Sequence, residues 1–204
     1  MAPDARVECK CRAFREPDAA ITFPNMKTNS LQRFTERVSA SWGPLTTELV
    51  ASIRREMAEL LETPATEDWL SRLHEEPAES RELYRDPAHG FLLLAHAQSL
   101  GLYRAPHDHG TGWVVYAVQR GETEMGTYGR VHDAQGKMQL VKRDSSVVRP
   151  GEIKVYLPGD IHDTRCTAGP LLLYRFTSCD LKKENVTRYA QRDGVWTDGA
   201  SCAS

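Results

Sequence analysis

The sequence predicts a mainly β protein, an antiparallel barrel or sandwich preceded by a helical cap, on three observations. Apolar residues recur at helical spacing from Ser30 to about residue 75. After Asp86-Pro87 the texture changes to short strand-like runs punctuated by Gly, Pro and Asp. No helical pattern returns between those runs, which favours antiparallel pairing of consecutive strands. Residues 1–29 mix charges with three prolines and show no period, so they read as an irregular extension. A first helix follows from Leu31, Phe34 and Val38, and Gly43-Pro44 separates it from a second with a wider stripe of Leu49, Val50, Ile53, Met57, Leu60 and Leu61. A third, short helix is expected from Thr66, whose hydroxyl can cap it while Glu67 and Asp68 suit its positive end; Trp69, Leu70 and Leu73 form its apolar side. Strands are expected at 91–98, 113–119, 123–131, 138–148, 153–157 and 171–178, with turns near 133–136, 150–151, 158–160 and 169–170. The domain plan is thus extension 1–29, helical cap 30–86, barrel 87–180 and C-terminal tail 181–204, with 30–180 as one domain.

Composition narrows the function. The 204 residues carry 26 Lys+Arg against 28 Asp+Glu, dispersed, so neither a nucleic-acid surface nor a polybasic membrane anchor is expected. Apolar runs such as Phe91 to Ala95 are far short of the roughly 20 residues of a membrane span. Residues 1–30 hold no apolar signal core, and a cytoplasmic protein is expected. Five cysteines at 9, 11, 166, 179 and 202 fit neither a zinc ribbon nor a disulfide framework, and Cys9-x-Cys11 has no second pair to complete a metal site. A chain of this length can bury about 70% of its unfolded surface, so any metal must be argued from chemistry rather than stability.

That chemistry starts at Pro106-His107-Asp108-His109-Gly110. On an extended strand, residues two apart share a face, so both imidazoles can converge on one ion. Around them Gly101, Gly121 and a second block, Gly151, Pro158, Gly159 and His162, keep a spacing that resembles the two motifs of the cupin superfamily of double-stranded β-helix barrels. Gly101, His107, His109 and Gly121 fall in register with the first motif, but its glutamate position is Trp113 or Val114, neither of which can ligate. Gly151, Gly159 and His162 match the second motif, with the proline one place late and Cys166 where an asparagine is expected. His109 and His162 stand 53 residues apart, a long insertion that a 123–148 hairpin accommodates.

Three histidines without the glutamate resemble the cysteine dioxygenase type I-like group, the thiol dioxygenases. Glu67-Asp68-Trp69-Leu70, Tyr84-Arg85-Asp86-Pro87, Phe91 and Gly121-Glu122 follow that group's landmarks in order, over about residues 30–178. The resemblance implies a metal on His107, His109 and His162, with Fe(II) as the native ion; Zn, Ni or Mn can replace it in a purified sample. It implies a small-molecule substrate and O2 as partners, with no nucleic acid and no membrane. Neutral imidazoles leave a divalent ion at +2, which favours an anionic chelating substrate such as a thiolate or enolate. Zinc on the same ligands would instead activate water. A dioxygenase is therefore expected, and the alternative is a cupin without oxygenase chemistry: a Zn or Ni hydrolase, lyase or isomerase, or a small-molecule binding module.

Further candidates each have two readings. The group's Ser-His-Tyr relay lacks its histidine in 171–178, so Tyr174 either takes part of that role or the chemistry differs. His96, in phase with Leu92 and Leu94, either faces the interior as a donor behind the site or is a satisfied core histidine. Trp113, Val114 and Tyr116 either line the pocket or fill the barrel. Arg81 and Arg85 stand where thiol dioxygenases often hold a carboxylate-binding arginine, but their charged neighbourhood suits surface ion pairs equally well.

Overall fold

A computed structural model describes residues 29–192 and 194–198. The extension before Asn29, with its Cys9-x-Cys11 pair, and Cys202 lie outside the described residues. Among the described residues three helices come first: α1 (Ser30–Ser41), α2 (Thr47–Leu61) and α3 (Asp68–Glu75). Asn29 and Gln32 cap α1 reciprocally, each side chain accepting from the other's backbone N–H. Thr46 caps α2 by accepting from Leu49 N. The expected cap at Thr66 is corrected: α3 begins two residues later behind Glu67, and no side chain caps it. The Glu67 carboxylate is engaged elsewhere, accepting from Ser30 N and Oγ and from Trp69 Nε1, which ties α3 to the start of α1.

Among the described residues, nine antiparallel strands follow: β1 (Arg81–Arg85), β2 (Leu92–Gln98), β3 (Tyr103–His107), β4 (Val114–His132), β5 (Met138–Val148), β6 (Ile153–Tyr156), β7 (Ile161–Thr177), β8 (Tyr189–Arg192) and β9 (Val195–Asp198). Their order is β1-β2-β7-β4-β5-β9-β8, with β3 on β7 and β6 on β4. Strands β4 and β7 pair from Val114↔Thr177 to Tyr128↔Ile161 and form the spine. At one end of β7 the other neighbour is β2, and at the opposite end it is β3, so the sheet curls. The bend falls where the β4–β7 register slips between Val118 and Thr123. Gly121 occupies it with φ +79, and a Cβ there would stand 2.6 Å from the Ala168 carbonyl oxygen.

The expected barrel with its N-terminal helical cap is the fold observed. Two expected breaks are corrected. The stretches 113–119 and 123–131 belong to one bent strand, and β7 runs through Gly169-Pro170 to begin ten residues before the expected 171. Strands β1 and β3 were not anticipated, and the expected tail instead carries a 3₁₀ turn at Leu181–Lys183 and the β8–β9 hairpin, which pairs with β5 through Leu140↔Trp196.

Strand alternation divides the core. Phe91, Leu93, Ala95, Trp113, Val115, Ala117, Leu172, Tyr174 and Phe176 pack against helix residues that include Phe34, Val38, Ile53, Met57 and Leu60. The opposite faces send Val114, Tyr116, Val118, Leu171 and Leu173 into the barrel with Met125, Val148, Tyr156 and Cys166. Among the described residues, no helix is long and apolar enough to cross a membrane.

Candidate metal centre

His107 ends β3 and lies directly across from His162 on β7, while His109 follows two residues after His107. One potential ligand nitrogen from each ring falls within 4.8 Å of the others. His109 and His162 are 2% and 0% exposed, and their Nε2 atoms stand 3.4 Å apart. That is the separation of two ligands about 2.1 Å from a shared ion at a tetrahedral angle. The His107 Nδ1 lies 2.8 Å from the Ala105 carbonyl oxygen, which can only accept, so Nδ1 carries the hydrogen and Nε2 is left with a lone pair. The donor set thus fits a first-row divalent ion that accepts imidazole: zinc, copper, iron or nickel. Tyr156 stacks on the His162 ring at 3.9 Å between centroids and holds its plane.

Burial first, and then neighbouring charge, keeps the rings neutral. It holds His109 at about 3, with His107 and Arg175 adding to the effect, and it lowers His162 well below the usual histidine range. His107 is lowered by its surroundings and by Arg188, Arg175 and Arg104, against the opposing bond to Ala105. Neutral imidazole is the form that ligates a metal. Between the two motif histidines, Asp108 is 5% exposed and turns away from them, accepting from Gly110 N, Thr187 N and Arg130 Nη2.

Above the cluster opens a cavity of about 420 Å³, within the usual range for small-molecule sites. His107 and His109 line it together with His96, Tyr116, Arg104 and Arg175, and the segment after β7 closes it with Leu181, Lys182, Val186 and Arg188. That segment is pinned where Glu184 accepts from Thr111 N and Oγ1, and where Thr187 and Asp108 bond backbone to backbone.

Of the candidates read from sequence besides the three histidines of the cluster, His96 and Tyr116 line this cavity and the others do not. Trp113 lies on the helix side, its ring 6.3 Å from Trp42 and nearly parallel to it. Val114 is buried within the barrel cluster. Tyr174 also faces the helices, 5.9 Å from the Trp69 ring, so it is not placed to act on a molecule in the cavity. Arg81 bonds to the Glu76 carbonyl oxygen and pairs with its carboxylate, and Arg85 pairs with Glu82 and Asp180. The arginine that does line the cavity, Arg175, was missed although alternation marks it: Leu171, Leu173 and Arg175 share one face of β7, opposite Leu172, Tyr174 and Phe176.

No protein-family model matches the chain, and no curated protein matches it. Solved structures similar to it in part include KdgF from a Halomonas species, 14% identical with a TM-score of 0.39 over 48% of this chain and 74% of that one. The cupin domain of Schizosaccharomyces pombe Cnp3 is 9% identical, with a TM-score of 0.39 over 50% of this chain and 64% of its own. A cupin superfamily protein of Desulfitobacterium hafniense is 14% identical, with a TM-score of 0.37 over 50% of this chain and 76% of that one. Likeness at this level decides nothing about chemistry.

Proposed function

We propose that the chain is a cupin metalloenzyme of the thiol dioxygenase-like kind, holding ferrous iron on His107, His109 and His162 and using O2 on a small chelating anion. The observation that carries this reading is the convergence of three neutral imidazoles, with no carboxylate among them, at a cavity whose charged lining residues are all cationic. Iron bound there would supply an accessible redox couple and open coordination positions. The chain's own residues would do the rest. His107 is oriented by the Ala105 carbonyl, and His162 by the Tyr156 ring. Leu181 and Val186 limit water above the site, and the cations of the wall draw in an anion.

The test is anaerobic reconstitution with ferrous iron or zinc, metal analysis, and oxygen uptake over a panel of thiols, diketones and hydroxylated aromatic acids. The iron form should consume oxygen with at least one of them and the zinc form with none, because zinc has no redox change. Hydrolysis or isomerisation by the zinc form, with an iron form that leaves oxygen untouched, would replace this reading with the non-oxygenase one.

A further inference from the structure

His109 and His162 are 2% and 0% exposed, so with the walls as they stand an ion in solvent does not reach all three rings. Part of the wall must move, and most of it is fixed. Strands β2, β3, β4 and β7 are tied together by backbone ladders. The wall residues Leu181, Lys182, Val186 and Arg188 instead belong to the segment between β7 and β8.

That segment is built to come away. Phe176 and Thr177 are buried at the end of β7 and Tyr189 is buried at the start of β8, but none of residues 179–188 between them is buried. Local opening occurs where few apolar side chains are buried and the hydrogen bonds face water. Polar contacts hold the segment down. Asp180 pairs with Arg85 at 2.9 Å, and Glu184 Oε2 accepts from Thr111 N and Oγ1 at 3.1 and 2.7 Å. Thr187 O accepts from Asp108 N at 3.1 Å, and Thr187 N donates to Asp108 Oδ1 at 2.9 Å. Each contact is modest, because water replaces it on release.

The Glu184 contact has the most leverage. Glu184 lies midway along the segment, and its partner Thr111 stands two residues after His109. Glycines flank that partner: a Cβ on Gly110 would stand 3.1 Å from Glu184 Oε2, and one on Gly112 would stand 2.7 Å from Leu181 Cδ2. The segment therefore seats directly on the turn that carries His109.

We propose that residues 179–188 form a strap that opens as a unit between fixed ends at Ser178 and Tyr189, that this opening is the step by which a metal ion enters and leaves the site, and that Glu184 on Thr111 is the latch. Ser178 is fixed by two bonds to the backbone of Trp113, each 3.0 Å. The proposal rests on reading the three histidines as a metal site and adds the control of access to it.

The test compares the full-length wild type with Glu184→Ala and Thr111→Val in two measurements. Hydrogen exchange on the metal-free proteins reads the strap by itself. The amides of Asp108, Lys183 and Thr187, bonded as the strap closes, should exchange together and about a hundredfold faster than those of β2 and β7. Glu184→Ala should speed all three about tenfold and leave β2 and β7 unchanged. Zinc uptake, and zinc release to a chelator, read the gate. Both rates should rise about tenfold in Glu184→Ala and about threefold in Thr111→Val, which keeps the backbone bond, while Kd moves by less than about twofold. A gate changes how fast the site is reached, whereas a residue that only supports the ligands changes how tightly they hold.

Strap amides that exchange no faster than those of β7, or that respond to Glu184→Ala singly, overturn the strap. Faster strap exchange with unchanged zinc rates overturns the gate. A weakened Kd with unchanged uptake overturns the role of Glu184 as latch. A wild type that takes up no zinc overturns the metal reading and the gate with it, and the exchange measurement still decides the strap.

Discussion

His162 is wholly buried, stacked under Tyr156 and opposite His107, so any metal ligand it offers comes from a strand that packing has already fixed. His162→Ala is expected to lose most bound metal while keeping its circular dichroism spectrum, and stoichiometric metal in the variant would sink the ligand assignment. His96 carries a prediction about acid. Burial, reinforced by the Arg175 charge, holds its ring at about 3, against about 6.5 unfolded. Between those values the unfolded chain binds a proton that the folded one refuses, so the ring's contribution to stability is present above 6.5 and declines as pH falls toward 3, by up to about 1.4 kcal/mol per pH unit. In urea unfolding at pH 7 and pH 5, His96→Phe should lose less stability than the wild type; equal losses would refute it. Cysteine chemistry gives a third expectation. Val114 has no sulfur, Cys166 lies near the Gln98 and Ala168 carbonyl oxygens, and Cys179 lies near Glu184, so none is placed to cross-link Tyr174. Intact mass after aerobic turnover should show no loss of two hydrogens at a Cys–Tyr pair. The three candidate metal histidines were legible because two stand two residues apart and the third keeps its place in a second motif, whereas Arg175 was not, because one charge in an apolar run shows its meaning only when the face it shares with Leu173 turns out to be the cavity face.

Among the elements, the long strands depend on a bend that the sequence disguises as turns. Gly121 and Gly169-Pro170 read as punctuation, yet β4 and β7 continue through both because their outer halves keep pairing on either side of the register slips. The strands overlooked, β1 and β3, are five residues each and rich in charge or interrupted by Pro106, so neither shows the apolar alternation by which strands are found. The bend is testable by comparing two glycines of similar positive φ. Gly136, at φ +78, has nothing within 4 Å of an added Cβ, so Gly136→Ala should cost only the left-handed penalty of about 1–2 kcal/mol. Gly121→Ala carries the same penalty plus contact with the backbone at Ala168, Pro170 and Leu171, and should cost more than about 4 kcal/mol. Similar melting temperatures for the two variants would show that the close approach is not what the bend requires. The turn from β1 to β2 has its own anchor in Asp86, which accepts from Ala88 N, His89 N, Ser39 Oγ and Tyr84 Oη. Burial opposes its ionisation, but these donors hold it below the ordinary aspartate value. Its stabilisation is therefore present above about pH 4 and lost as pH falls through the lowered value.

For the whole molecule, alternation separates two tasks: one face of β2, β4 and β7 packs against the helices, and the other encloses the barrel and its cavity. The sequence shows the first task plainly, since helix and strand periodicities are both regular there. It hides the second, because the cavity is assembled from His96, His107, His109, Arg175 and Arg188, which span most of the barrel and the segment beyond it. This long span has a consequence for the chain during its own synthesis. A ribosome that has released only His107 and His109 presents an exposed pair of imidazoles, and the third ring, the guanidinium wall and the closing segment over residues 181–188 emerge afterwards. Because domains acquire their structure as units rather than residue by residue, the three rings and the segment that closes the cavity are expected to come together only once residue 188 has emerged, so a nascent chain with His107 and His109 alone offers an ion two imidazoles rather than three.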